Sequence, residues 1–186
     1  MVRPKTFDPS EALDTVVDAL WQGGLHATSI DELLRATGLA RSSFYNTFGS
    51  KAEVVRLAID RYTGRQLTEL EQAFDGRSLQ AALEHILLTI AIDNYGGRGC
   101  LLVNSVSALR DADADTLVLI RDSFSAVAAR LASLVAIASP ELERPVLVAT
   151  EIIGAIAGMR TLQRSGLPVA AVEETARRLA LYISAA

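Results

Sequence analysis

Apolar positions recur at three- and four-residue spacing along almost the whole chain, and no stretch alternates apolar and polar residues as a half-buried strand would. Leu13, Val16, Val17 and Leu20 mark one face of a first helix, opened near Pro9-Ser10 and closed by Gly23-Gly24. A second helix, capped by Thr28 or Ser29, carries Asp31 and Glu32 in its first turn, where the helix dipole favours acids. It buries Ile30, Leu33 and Leu34 and ends at Gly38. A third runs from about residue 40 to 47, with Phe44 and Phe48 four apart; Gly49 interrupts, and Ser50 caps a long fourth helix reaching about Phe74.

The later part keeps the same period. Ser78 opens a helix through Leu83, Ile86, Leu87 and Ile90, and the run Gly-Gly-Arg-Gly up to Gly99 breaks it. A short helix is expected from Cys100 to about Leu109, then a long one capped by Asp113 and carrying Ile120, Phe124, Val127, Leu131 and Leu134. Pro140 ends that region, and two helices remain, about 144–164 and 168–184, with the turn Gly166-Leu167-Pro168 between them. The pattern predicts an all-α chain of about nine helices. Short helices followed by long ones predict an N-terminal module over 1–55 and a larger helical domain over 56–186, joined within the fourth helix.

Composition narrows the function classes. The 186 residues are half apolar, and the net charge of -4 argues against a protein that coats nucleic acid through bulk charge, though not against a local contact surface. The one cysteine, Cys100, cannot form an internal disulfide, and the N-terminus has no apolar run of signal-peptide length. No run reaches about 18 unbroken apolar residues, since Glu151 interrupts the most apolar one. The expectation is a cytoplasmic protein with no membrane partner.

Helix, glycine turn and short helix form a helix-turn-helix pattern, in which the second helix enters the major groove of DNA. With Phe44 and Phe48 facing inward, Arg41, Ser42, Ser43, Tyr45 and Asn46 face outward. Arginine can donate two hydrogen bonds to guanine, asparagine can pair with adenine, and hydroxyls reach phosphates or base edges. Lys51, at the start of the fourth helix, and Thr28, at the start of the second, are phosphate candidates. Residues 1–51 hold five basic side chains against six acidic ones, so contact must come from a few placed cations, helped by a basic arm at Arg3 and Lys5.

The run TSIDELLRATGLARSSFYNTFGSKAEV, residues 28–54, closely resembles the N-terminal module of the tetracycline-repressor (TetR) family, with Gly38, Tyr45, Phe48 and Lys51 matching in order and spacing. Two departures stand out. Ala40 replaces the usual serine and cannot cap the recognition helix through its side chain, a loss of about 1 kcal/mol. Asn46 and Thr47 occupy positions often filled by histidine, so base preference does not carry over. The resemblance implies a homodimeric regulator, a repressor bound to a pseudo-palindromic double-stranded DNA operator and released by a small-molecule inducer.

The larger domain offers candidates for both implied roles. Thr150, Gly154, Ala157, Gly158 and Thr161 form a strip of small residues, and interior glycines suit the close approach of another helix. Val172, Ala176, Leu179 and Ile183 line one face of the last helix, and two such helices from each subunit would make a four-helix dimer interface. Close packing within one subunit is the alternative. Candidate pocket liners are His85, Asn94, Tyr95, Asn104, Ser105 and Ser107, although taken singly each reads first as a surface or satisfied core group. His85 has no second ligand at metal spacing, so neither a metal nor a cofactor is expected. Cys100 follows Arg98 at an expected helix start, which favours a reactive thiolate. The segment RGCLLVNS resembles a TetR subgroup with Gly-Cys-Leu at the sixth helix, some of whose members sense electrophiles or oxidants. A buried structural cysteine is the other reading. Two further functions stay open at this point: an architectural or division-control DNA-binding protein on the same fold, and a thiol enzyme using Cys100 with His85 as base. The enzyme lacks a third catalytic group, and a non-enzyme is expected.

Overall fold

A computed structural model of the chain describes residues 7–92, 98–107 and 114–185. It contains α1 (Pro9–Gly23), α2 (Ile30–Thr37), α3 (Arg41–Phe48), α4 (Lys51–Phe74), α5 (Leu79–Ile92), α6 (Leu101–Ser107), α7 (Ala114–Ala138), α8 (Pro145–Arg164) and α9 (Val169–Ser184), with no strand among the described residues. The fold is all-α, as the periodicity predicts. Two compact units share the chain. One takes Met1–Thr63 and Asn104–Ser123; the other takes Gly64–Val103 and Phe124–Ala186. The division inside α4 therefore lies after Thr63, beyond residue 55, and residues 104–123 join the N-terminal unit from a distant part of the sequence.

In the first unit the helix starts are set by local hydrogen bonds. Ser29 and Glu32 form a reciprocal capping box at α2: the Glu32 N–H donates to the Ser29 hydroxyl and the Ser29 N–H donates to the Glu32 carboxylate. Ser50 and Glu53 repeat the arrangement at α4. Both carboxyl groups are held below their ordinary range, first by the serine backbone N–H and then by the serine hydroxyl. A carboxyl depressed by folding adds stability above its unfolded pKa, and that stability is lost as pH falls through the lower folded value. Glu32→Ala and Glu53→Ala should each lower the melting temperature at neutral pH, and the gap to wild type should close in acid. Melting curves at neutral and acid pH check this; a gap that persists in acid would assign the loss to something other than the charged cap.

Two glycines carry the left-handed turns around α3. Gly38 ends α2 at φ 67°, and Gly49 ends α3 at φ 75°. At Gly49 a methyl group would also collide with the Glu53 carboxylate that caps α4. Gly49→Ala should thus cost roughly 1–3 kcal/mol, from backbone strain and a displaced cap. Chemical denaturation of the two proteins measures it.

The N-terminal unit is also tied between α1 and α4. Arg61 donates from Nε to one Asp14 carboxylate oxygen at 2.8 Å and from a terminal nitrogen to the other at 3.2 Å, a two-point pairing that fixes orientation. Trp21 and Tyr62 meet edge to face with ring centres 5.1 Å apart. Val16, Val17, Leu20, Leu33, Phe44, Val54, Ala58 and Ile59 fill the interior.

In the second unit α5 packs chiefly on α9 and also on α8, and α8 packs on α9. Leu83, Leu87, Leu131, Val135, Ala149, Ile152, Ala176 and Ala180 are the centre of its core. This overturns one expectation. Val172, Ala176 and Ile183 are buried and Leu179 is partly buried, all within the core of their own chain. The face assigned to a dimer partner is used by α5 and α8. The physical reason is that an apolar stripe fits any apolar neighbour, and the nearest one lies in the same chain. By length and composition α8 could pass for a membrane-spanning helix. Its Val148, Ala149, Ile152 and Met159 instead enter the core.

Candidate nucleic-acid interface

The geometry of α3 follows from its two phenylalanines. Phe44 is fully buried and Phe48 nearly so, and their rings meet edge to face at 5.2 Å. At 100° per residue this fixes the rest of the helix. Arg41, Ser42, Tyr45 and Asn46 are exposed and Ser43 is half-buried. No acidic side chain lies on α3. The start of the helix is uncapped by any side chain, because Ala40 has none to offer. The positive end of the helix dipole therefore lies at Arg41 and Ser42, the first residues of the helix, which suits a phosphate or another acceptor.

Three of the expected contacts have partners inside the protein. Arg41 pairs with Asp31 of α2, both side chains exposed. Lys51 is half-buried and donates from Nζ to the His26 carbonyl at 2.9 Å. An ammonium has three donors, so this bond holds the side chain across the α1–α2 turn and still leaves donors for a phosphate. Thr28 is the correction. It is buried, only 4% exposed, and its hydroxyl donates to the Gly24 carbonyl at 2.9 Å. The side chain packs against Gly23, where a methyl group would collide with the hydroxyl. Thr28 closes the α1–α2 turn and does not offer its side chain to DNA. The basic arm at Arg3 and Lys5 lies outside the described residues.

Thr150, Gly154, Gly158 and Thr161 are exposed along α8, and Ala157 is half-buried. A methyl group added at Gly154 or Gly158 would meet nothing within 4 Å. Among the described residues nothing fills the glycine strip. Val146, Leu147 and Leu162 continue it as exposed apolar side chains, and Leu181 and Tyr182 of α9 are exposed as well.

The pocket candidates do not come together. His85 is exposed and lines a cavity of about 270 Å³ between α4, α5 and α8. Cys100 is buried just ahead of α6, in the same unit, but does not line that cavity. Asn104 and Ser105 belong to the other unit, half-buried and buried respectively. Asn94 and Tyr95 lie outside the described residues, and so does the side chain of Ser107. Gln66 and Arg160 line the cavity and were not singled out by sequence. The one signal for Arg160 was a charged residue directly after the most apolar run of the chain. Among the described residues no group of three or more histidine, cysteine, aspartate or glutamate side chains could hold a metal.

Comparison with known proteins agrees with this geometry. The model of bacterial regulatory proteins of the tetR family matches residues 12–58, which span α1 to the first turns of α4. The HTH-type transcriptional repressor ComR of Escherichia coli is 33% identical over 118 residues, 61% of this chain and 56% of that protein. The HTH-type transcriptional regulator YezE of Bacillus subtilis, itself uncharacterised, is 28% identical over 109 residues, 56% of each chain. The match thus spans about half the length of these curated relatives. Among solved structures, a TetR-family transcriptional regulator from Cytophaga hutchinsonii covers 97% of this chain and 98% of its own at a TM-score of 0.79 and 18% identity. The TetR-family regulator CifR, solved with a 26 bp operator duplex, gives the same coverage at a TM-score of 0.77 and 23% identity. At these identities the neighbours establish the fold. Motif, matched residues and fold agree: residues 12–58 carry the N-terminal module of the tetR family of bacterial regulatory proteins, and the described helices share the fold of TetR-family regulators.

Proposed function

We propose that this chain is a DNA-binding transcriptional repressor that acts in the cytoplasm as a homodimer and leaves its operator when a small molecule binds. The observation that carries the reading is the outward face of α3. Arg41, Ser42, Tyr45 and Asn46 stand exposed on a helix that carries no acid, inside a module that otherwise has more acids than bases. Ser43 and Lys51 flank that face. A relative named as a repressor and a neighbour solved with operator DNA support it.

The helix-turn-helix unit reads DNA, and the second unit, from within α4 onward, holds the ligand and the partner subunit. Dimerisation uses the open strip Thr150, Gly154, Ala157, Gly158 and Thr161 of α8, with the exposed side of α9 around Leu181 and Tyr182 in place of the buried face first assigned to it. The ligand enters the cavity beside His85. Because α4 runs through both units, a shift of its C-terminal half on ligand binding is carried to Lys51 at its first turn, and the two reading heads change spacing. An electrophile or oxidant signal at Cys100 would need a reagent to reach a buried sulfur, so the cavity is the better seat for the signal.

Selection of binding sequences from a pool of random duplexes tests the reading. The expected product is a pseudo-palindrome whose half-sites lie about one helical turn, or a multiple of it, apart. A pool with no enriched sequence, but uniform salt-sensitive binding, would favour the architectural role.

A further inference from the structure

The cavity beside His85 has a chemical character of its own. Arg160 of α8 is buried, only 7% exposed, and lines this cavity. Its Nη1 donates to the Gly99 carbonyl at 3.0 Å, which holds the guanidinium in place. Arginine does not give up its proton in proteins, so this is a permanent positive charge. In low-dielectric surroundings such a charge acts far more strongly than one in water.

The other walls decide what that charge would hold. Leu70 and Ala73 of α4, Ile86 of α5 and Ile156 of α8 form apolar sides, and Thr89 adds a hydroxyl. The acid on the lining, Glu69, is exposed and accepts from Gln66 Nε2 at 2.9 Å. Water screens it, whereas Arg160 is shielded. The cavity thus joins a buried guanidinium to apolar walls. Its volume of about 270 Å³ lies just below the range that takes a drug-sized molecule, which limits the ligand to one ring or a short branched chain.

Building on the reading of the second unit as the ligand-binding part, we propose that the cavity binds a small monocarboxylate with an apolar body, its carboxylate on Arg160 and its body against Leu70, Ile86 and Ile156. Matched pairs of acid and neutral amide test this on the full chain: benzoate against benzamide, and phenylacetate against phenylacetamide, at millimolar concentration. Binding is read by calorimetry and by the rise in melting temperature. Each acid should bind at least about tenfold more tightly than its amide, and Arg160→Gln should remove that preference. Ile156→Trp, which fills the cavity from a partly buried position, should abolish binding of the acids with Arg160 in place, so the proposal is tested even if Arg160→Gln does not fold. Equal binding of acid and amide, binding that survives Ile156→Trp, or no binding of either acid would overturn it. A separate gel shift with a selected duplex distinguishes this from the regulatory reading. Acids that bind in the cavity and leave the DNA complex intact would uphold the ligand class and contradict release by ligand.

Discussion

Alanine at Phe44 is expected to lower the stability of the N-terminal unit by about 3–5 kcal/mol and to abolish DNA binding, although Phe44 does not face DNA. Its side chain has no exposed surface and sits against Phe48 at 5.2 Å and Tyr45 at 6.2 Å between ring centres. Truncation removes both edge-to-face contacts and opens a void that two short helices cannot close. The α3 helix has only 8 residues and no side-chain N-cap, so little besides tertiary packing holds it. Once it loosens, Arg41 and Asn46 lose their common orientation. Denaturant unfolding and anisotropy with a fluorescent duplex measure the two effects. A variant within about 1 kcal/mol of wild type that still binds DNA would mean that α3 is positioned by something other than its buried aromatic.

The second large effect is expected at Gly158, where leucine should convert the proposed dimer into a monomer without harming the fold of the chain. Among the described residues of the chain nothing lies within 4 Å of a methyl group at that position, and Gly158 is exposed. Glycine inside a helix is about 1 kcal/mol less favourable than alanine, so leucine should leave the single chain as stable or slightly more so. A branched side chain on the open strip would nevertheless hold a partner helix away. Only 28% of the most apolar stretch of α8 is buried within the chain, which leaves the strip needing a cover. Light scattering gives the mass in solution, and a monomer should bind a single half-site with much weaker affinity than the dimer binds two. An unchanged dimer would move the interface off α8.

What was legible in the sequence was what is decided within about four residues. The Ser50 cap, the glycine stops at Gly38 and Gly49, and the inward pair Phe44 and Phe48 stand where their spacing placed them, and of the two residues offered as the α2 cap, Thr28 and Ser29, it is Ser29 that caps. Ala40 was identified as a residue that cannot cap, and α3 indeed lacks a side-chain cap. Contacts between distant segments were not legible. The stripe Val172, Ala176, Leu179 and Ile183 was read correctly as apolar and given the wrong neighbour, because periodicity names a face and not what covers it. Thr28 was read as a phosphate contact, yet the closure of the α1–α2 turn buries it. Residues 104–123 joining the first unit, and Arg160 turning into a cavity, depend on topology that no local pattern records.

The central claim is that the outward face of α3, with Lys51 beside it, reads DNA. The affinity of Tyr45→Ala and of Lys51→Ala for the selected duplex tests it most directly, with circular dichroism and light scattering confirming wild-type fold and mass. Each variant is predicted to bind roughly tenfold or more weakly than wild type, the loss of Tyr45 relaxing sequence preference and the loss of Lys51 weakening all sequences alike. Wild-type affinity in both variants would contradict the assignment of this surface.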